Sequence, residues 1–168
     1  MTRYRIGAGS QLVVKARSSL HDTRTTWSAV TGDVEADPAT LATAGATATF
    51  AVDMTQLDAG DWLKTRKLRK DFALEDHPRA TFELTALTDV VGGDGGRFRA
   101  TAQGTLSWRG RSVTLTIAGD GTLDQHGLRA TGRCELDIRQ LGLAAPRFLL
   151  WKVEDEVAIE VSLQGSVA

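Results

Sequence analysis

From Phe98 to Ile117 the chain reads FRATAQGTLSWRGRSVTLTI, two runs of alternation that meet at Arg109-Gly110. Phe98, Ala100, Ala102, Gly104, Leu106 and Trp108 share one parity, and Arg99, Thr101, Gln103, Thr105 and Ser107 the other. Past the turn, Val113, Leu115 and Ile117 alternate with Ser112, Thr114 and Thr116. Side chains two apart lie on one face of a strand, so each run has one apolar and one polar face. Glycine reaches positive φ where a chain reverses, and a short loop containing it between alternating runs signals a hairpin.

The same parity extends into neighbouring segments. If the Gly92 to Gly96 loop pairs Val90 with Phe98, the Arg109-Gly110 turn pairs Leu106 with Val113, and the turn at Gln125-His126-Gly127 pairs Leu123 with Leu128, four strands share one register. Inward residues then form rows across the sheet. These are Phe82, Leu106, Val113 and Ile138; Leu84, Gly104, Leu115 and Leu136; Ala86, Ala102, Ile117 and Cys134; Thr88, Ala100, Gly119 and Gly132; and Val90, Phe98, Gly121 and Ala130. Ala46 to Asp53 and Val157 to Leu163 alternate as well, while Arg3 to Ile6, Leu12 to Arg17 and an extended stretch within Thr25 to Ala36 are less regular. About eight antiparallel strands with one apolar face each make a sandwich or a closed barrel, and the consecutive hairpins favour the barrel. The expected fold is all-β with one short helix, an antiparallel up-and-down eight-stranded β-barrel. The 168 residues suffice for one domain spanning residues 1–168.

A barrel of about eight strands is just wide enough to be filled by side chains or to hold one slim ligand. Bulky residues close the Trp108 end, whereas Ala100, Ala102, Gly104, Gly119, Gly132 and Cys134 leave the middle under-filled. Two readings follow: a narrow apolar tunnel, or small residues that relieve strand curvature. Clustering in adjacent rows favours the tunnel. Its candidate lining is Phe50, Val52, Phe82, Leu84, Ala100, Ala102, Gly104, Leu106, Leu115, Ile117, Gly132, Cys134 and Leu136.

The window DWLKTRKLRKDFAL, Asp61 to Leu74, departs from the strand pattern: Leu68 and Phe72 are four apart, and Thr65 is its only β-branched residue. It is the one expected helix, with Asp58 or Asp61 as N-cap and Pro78 as its limit. It carries Lys64, Arg66, Lys67, Arg69 and Lys70, a solvated face or a candidate site for an anionic headgroup or membrane surface. Nucleic acid is not expected, because the net charge is -1 and no recognition motif is present.

Catalytic and metal motifs are absent from the pattern. His21, His77 and His126 stand in separate segments, and Cys134 is the sole cysteine. His21-Asp22 would need a nucleophile such as Ser10 or Ser18, and no G-x-S-x-G elbow exists. Gly92 to Gly96 lacks the Lys-Ser/Thr and following helix of a phosphate cradle, so it reads as a hairpin loop. The opening MTRYRIGAGSQLVVKARSS has no apolar h-region, and no window approaches the roughly 18 apolar residues of a membrane span. The expectation is a cytoplasmic protein, or a periplasmic one if a leader has been removed ahead of Met1.

These segments together resemble the YceI-like family of polyisoprenoid-binding proteins. Gly104 to Gly110 (GTLSWRG) running into Val113 to Leu115 resembles the family's G-x-L-t-i-r-G hairpin. Leu68 to Phe72 leading to His77 to Phe82 resembles its helix-to-strand segment, and Ile138 to Gly142 its late R-x-x-G element. At the start the chain departs, with Gly7 and Gly9-Ser10 where members often carry an Asp and a His-Ser pair. The resemblance implies a lipocalin-like barrel and a non-enzymatic protein that holds an isoprenoid chain, of polyprenyl phosphate or quinone type, for transport, storage or sequestration. It implies a homodimer and no cofactor beyond a co-purified isoprenoid lipid or quinone; peripheral membrane contact is the expectation that the basic helix itself carries. Two alternatives stand beside it: a small enzyme at the barrel mouth using His21, Asp22 and Arg139, and an interaction protein with a filled barrel.

Overall fold

The computed structural model describes residues 1–19, 22–145, 147–148 and 151–168, with backbone alone at 147, 148, 151 and 152. Among the described residues the chain forms β1 (Thr2–Ile6), β2 (Gln11–Ser18), β3 (Thr23–Trp27), β4 (Val30–Ala36), α1 (Leu41–Ala44), β5 (Ala46–Asp53) and β6 (Leu57–Asp58). Then come α2 (Trp62–Asp71), β7 (Arg79–Gly92), β8 (Arg97–Trp108), β9 (Arg111–Leu123), β10 (Gly127–Asp137), β11 (Arg147–Phe148) and β12 (Trp151–Val167). The strand order β1-β4-β5-β7-β8-β9-β10-β12 returns to β1 through Tyr4↔Val167 and Ile6↔Gly165, closing an eight-stranded antiparallel barrel.

β1 and β2 lie end to end along one edge of β12, and β3 and β6 continue the wall beyond β2. The joint between β1 and β2 is sealed by hydrogen bonds. Gly7 N–H donates to the Gln164 carbonyl at 3.2 Å. The buried Ser10 hydroxyl accepts from Gln164 N–H at 2.9 Å and donates to the Gln164 carbonyl at 3.3 Å. The strand can therefore break without leaving buried backbone groups unpaired.

The central hairpin pairs Leu106 with Val113 and Gly104 with Leu115, the expected register. Its turn places Arg109 at φ +59° and Gly110 at φ +72°, the two positive values a two-residue turn of matching twist demands. At Arg109, a residue with a β-carbon, this conformation is held by tertiary contacts. Its guanidinium donates to the Phe72 carbonyl and stands 5.5 Å over the Trp108 ring.

The buried side chains divide into two clusters. One gathers Trp27, Leu68, Leu74, Trp108, Val113, Leu136 and Ile138 beneath α2; the other gathers Tyr4, Ile6, Val34, Leu41, Leu123 and Leu128. α2 is capped by Asp61, whose side chain accepts from Lys64 N–H at 2.8 Å, and it ends at Asp71, short of the Leu74 expected from the sequence.

Three further expectations are corrected. The stretch within Thr25 to Ala36 is two strands, because Trp27 turns in to donate from Nε1 to the Met54 carbonyl at 3.1 Å and β4 starts afresh at Val30. The loop after Asp37-Pro38 holds a second helix, α1, whose Leu41 is buried in the second cluster. β7 also keeps the expected register only as far as Leu84↔Gly104. One-residue shifts follow between Leu84 and Ala86 and between Thr88 and Val91, so Leu87 faces Ala102, and Gly92 rather than Val90 faces Phe98. The second shift spans Asp89, at φ +52°, a conformation aspartate tolerates better than most residues. Such bulges increase local twist, which a sheet needs in order to curl shut.

Candidate functional site

A cavity of about 250 Å³ lies inside the barrel. β4 supplies Val30, Val34 and Ala36, β5 supplies Ala46, Ala48, Phe50 and Val52, and β7 supplies Phe82, Leu84 and Leu87. Across the interior stand Phe98, Ala100, Ala102 and Leu106 of β8, then Leu115, Ile117, Gly119 and Leu123 of β9. β10 adds Leu128, Ala130, Gly132 and Cys134, and β12 adds Ile159, Val161 and Leu163. Leu12 and Leu41 complete the apolar wall, and Asp120 and Thr131 are the polar residues that border it.

The hollow has a local cause. Ala100 pairs with Gly119 and Gly119 with Gly132, so three neighbouring strands present almost no side chain in one row. On the adjoining wall, formed by β5 and β7, Phe50 and Phe82 stack, with ring centroids 6.3 Å apart and planes at 26°. The two core clusters extend from either end without filling the space between these walls.

Of the residues predicted to line a tunnel, Phe50, Val52, Phe82, Leu84, Ala100, Ala102, Leu106, Leu115, Ile117, Gly132 and Cys134 do border the cavity. Gly104 and Leu136 do not. The Phe82 ring covers Gly104: a β-carbon there would stand 2.1 Å from Phe82 Cζ. Leu136 is packed into the cluster with Trp27, Trp108 and Ile138.

Sequence reasoning left out Leu87, Leu41 and the inner faces of β4 and β12. Leu84, Leu87 and Val90 are spaced by three rather than two, the trace that a bulge leaves on an alternating strand. Leu41 carried no such signal, since its place depends on how the loop folds back over the barrel end.

Cys134 is the nucleophilic side chain on this wall, and burial pushes its thiol up to about 11, with Glu135 adding a smaller push in the same direction. It therefore remains a neutral thiol near neutral pH, a weak nucleophile. Ser10 has its hydroxyl committed to Gln164. His126 is exposed in the β9–β10 turn, and the His77 carbonyl accepts from Trp108 Nε1 at 2.8 Å. His21 lies outside the described residues. Asp22 is exposed, and Arg139 is tied to Asp137 at 2.7 Å and Asp155 at 3.7 Å; neither borders the cavity.

The basic helix sits at the filled end of the barrel, where Leu68 joins the first cluster. Lys64, Arg66, Lys67, Arg69 and Lys70 do not reach the cavity. Lys64 pairs with Asp61 at 3.9 Å and Lys67 with Asp71 at 2.8 Å; Arg69 donates to the Thr55 carbonyl at 2.6 Å and stands 3.7 Å from Glu75. No helix among the described residues is long and apolar enough to cross a membrane.

Fold and cavity together define a small closed β-barrel with an apolar, partly empty interior. The sequence model of the YceI-like domain matches residues 5–165, and the chain belongs to that family. Among solved structures it is similar to Burkholderia cenocepacia BcnA, at 21% identity and a TM-score of 0.72 over 92% of this chain and 95% of that one. A polyisoprenoid binding domain from Saccharophagus degradans, implicated in plant cell wall breakdown, superposes with a TM-score of 0.73 at 12% identity, over 100% of this chain and 99% of that one. The YCEI protein of Campylobacter jejuni gives a TM-score of 0.65 at 11% identity, over 86% and 84% of the two chains. No curated protein matches the chain at a significant level.

Proposed function

We propose that this protein binds an apolar chain of isoprenoid type in the barrel cavity and carries, stores or sequesters it without chemical change. The observation that carries the reading is the cavity itself, walled by aliphatic and aromatic side chains and kept open by the Ala100-Gly119-Gly132 row. The name given to the Saccharophagus degradans domain supports the choice of ligand class. The neutral thiol of Cys134 and the engaged hydroxyl of Ser10 support a binding rather than a catalytic role.

The size of the cavity limits what it seats. A cavity of about 150 Å³ holds one six-carbon aromatic ring. By that measure about 250 Å³ takes on the order of ten carbons, roughly two isoprene units. Burying ten carbons contributes about 8 kcal/mol at ~0.8 kcal/mol per methylene. Association costs at least ~4 kcal/mol, which leaves about 4 kcal/mol, a Kd near 1 mM. Tight binding therefore requires a longer chain that displaces lining side chains, or a headgroup with contacts of its own.

Gentle purification followed by organic extraction and mass spectrometry tests the reading, together with uptake of added prenols of increasing length. Co-purified or absorbed isoprenoid, with affinity rising beyond ten carbons, is the expected result. A barrel repeatedly free of lipid that takes up no prenol of any length would overturn it.

A further inference from the structure

Trp62 and Leu63 open α2 and are 68% and 63% exposed. Single exposed apolar residues are common and need no explanation, but this adjacent pair has particular neighbours. At roughly 100° per residue, Trp62, Leu63, Arg66, Lys67 and Lys70 fall within about 140° of the helix circumference. The rest of the circumference, from Leu68 round to Arg69 at the edge of the outward arc, is spent on the barrel. Leu68 is buried, the Thr65 hydroxyl accepts from Ala59 N–H at 3.0 Å, and Arg69 donates to the Thr55 carbonyl. On the outward face, Arg66 and Lys70 are exposed and make no ion pair among the described residues.

An indole and a leucine side by side, with Arg66, Lys67 and Lys70 along the same face and Asp58 and Asp61 confined to the start of the helix, have the composition of a helix that lies in a bilayer interface. We propose that the outward face of α2 docks the barrel on an anionic lipid surface. Trp62 and Leu63 enter the headgroup boundary, while Arg66 and Lys70 sit over the phosphates and Lys67 stays paired with Asp71. The net charge of the chain is -1, so the attraction is local to this face. A bilayer fits better than an acidic protein: the shallow hollow beside Trp62 is bordered by Asp58 and Asp61 as well as Arg66 and Arg69, so it repels an acidic side chain, whereas a fluid headgroup layer needs no matching groove. The proposal stands whether or not the cavity holds an isoprenoid.

The test is co-sedimentation of the full chain with vesicles of phosphatidylcholine alone and of equimolar phosphatidylcholine and phosphatidylglycerol, at low and high salt. Binding to the anionic vesicles only, weakened by salt, is expected. R66A/K70A should bind about twenty-five-fold more weakly, about fivefold per cation. W62A/L63S should release the protein from anionic vesicles at a salt concentration the parent withstands. These side chains are exposed, so circular dichroism should show all variants folded. Equal binding to neutral vesicles, or unchanged binding by either folded variant, would overturn the proposal. So would indifference to both vesicle types, which would leave the face to an acidic protein.

Discussion

The ring of Phe82 lies across the inner face of Gly104, so close that a β-carbon at position 104 would stand 2.1 Å from Cζ and 2.6 Å from Cε2. The glycine is what lets Phe82 lie flat against β8 and stack on Phe50, leaving the volume beyond the two rings empty.

Gly104→Ala should therefore push the Phe82 ring towards the cavity. The strain is expected to cost about 1–3 kcal/mol, the usual range for overpacking a well-fitted site. Denaturant titration would measure it, and the variant should also take up less apolar ligand. Unchanged stability would mean that both the ring and the Glu83 carbonyl, 2.6 Å from the same β-carbon, give way freely.

Ala102→Leu fills space without that strain, since Ala102 borders the cavity between its neighbours Leu87 on β7 and Ile117 on β9. Cavity filling commonly adds about 0.5–2 kcal/mol, so the melting temperature should hold or rise. Prenol uptake should fall at least tenfold. A variant that is both as stable and as good a binder as the parent would place the ligand elsewhere.

Cys134 supplies a pH signature. Burial raises its folded-state pKa from about 9 to about 11, so the folded protein holds the thiol proton more tightly than the unfolded chain. The associated stability is fully present below pH 9 and is lost as pH rises through about 11. Alkylation by iodoacetamide should stay slow at pH 9, where an ordinary thiol is half ionised, and bound ligand should slow it further. Rapid labelling at pH 8 would contradict the burial of this thiol.

Ser10→Ala removes the buried hydroxyl that accepts from Gln164 N–H and leaves that part-buried donor without its partner. A loss of about 1–3 kcal/mol is expected, lowering the melting temperature by roughly 2–4 °C per kcal/mol for a domain of this size. Ligand uptake should persist, because Ser10 does not border the cavity. Loss of a hydrolytic activity on an apolar ester with the fold intact would instead favour an enzyme.

Much of the barrel was legible before any coordinates. Alternation from Phe98 to Ile117, the turn at Arg109-Gly110 and the pairing of Leu123 with Leu128 are local patterns, and the structure repeats their register. The glycines and alanines of β8 to β10 were visible as a run of small inward residues for the same reason: in a regular strand, parity alone decides which face a side chain takes. Parity failed at the two shifts in β7, where an extra residue on one strand breaks period-two alternation and leaves only the three-residue spacing of Leu84, Leu87 and Val90 as its trace.

The chain by itself thus determined the strands, their inward faces and the shortage of side chain in the middle of the sheet, because these follow from period-two alternation and residue size. Only the tertiary structure decided that β12 meets β1 to close the ring, that Leu41 folds over the barrel end, that Phe82 covers Gly104, and that α2 packs on the filled end with its cations outside the cavity lining. Those outcomes depend on which residues distant in sequence come into contact, and on where volume is left once they have packed.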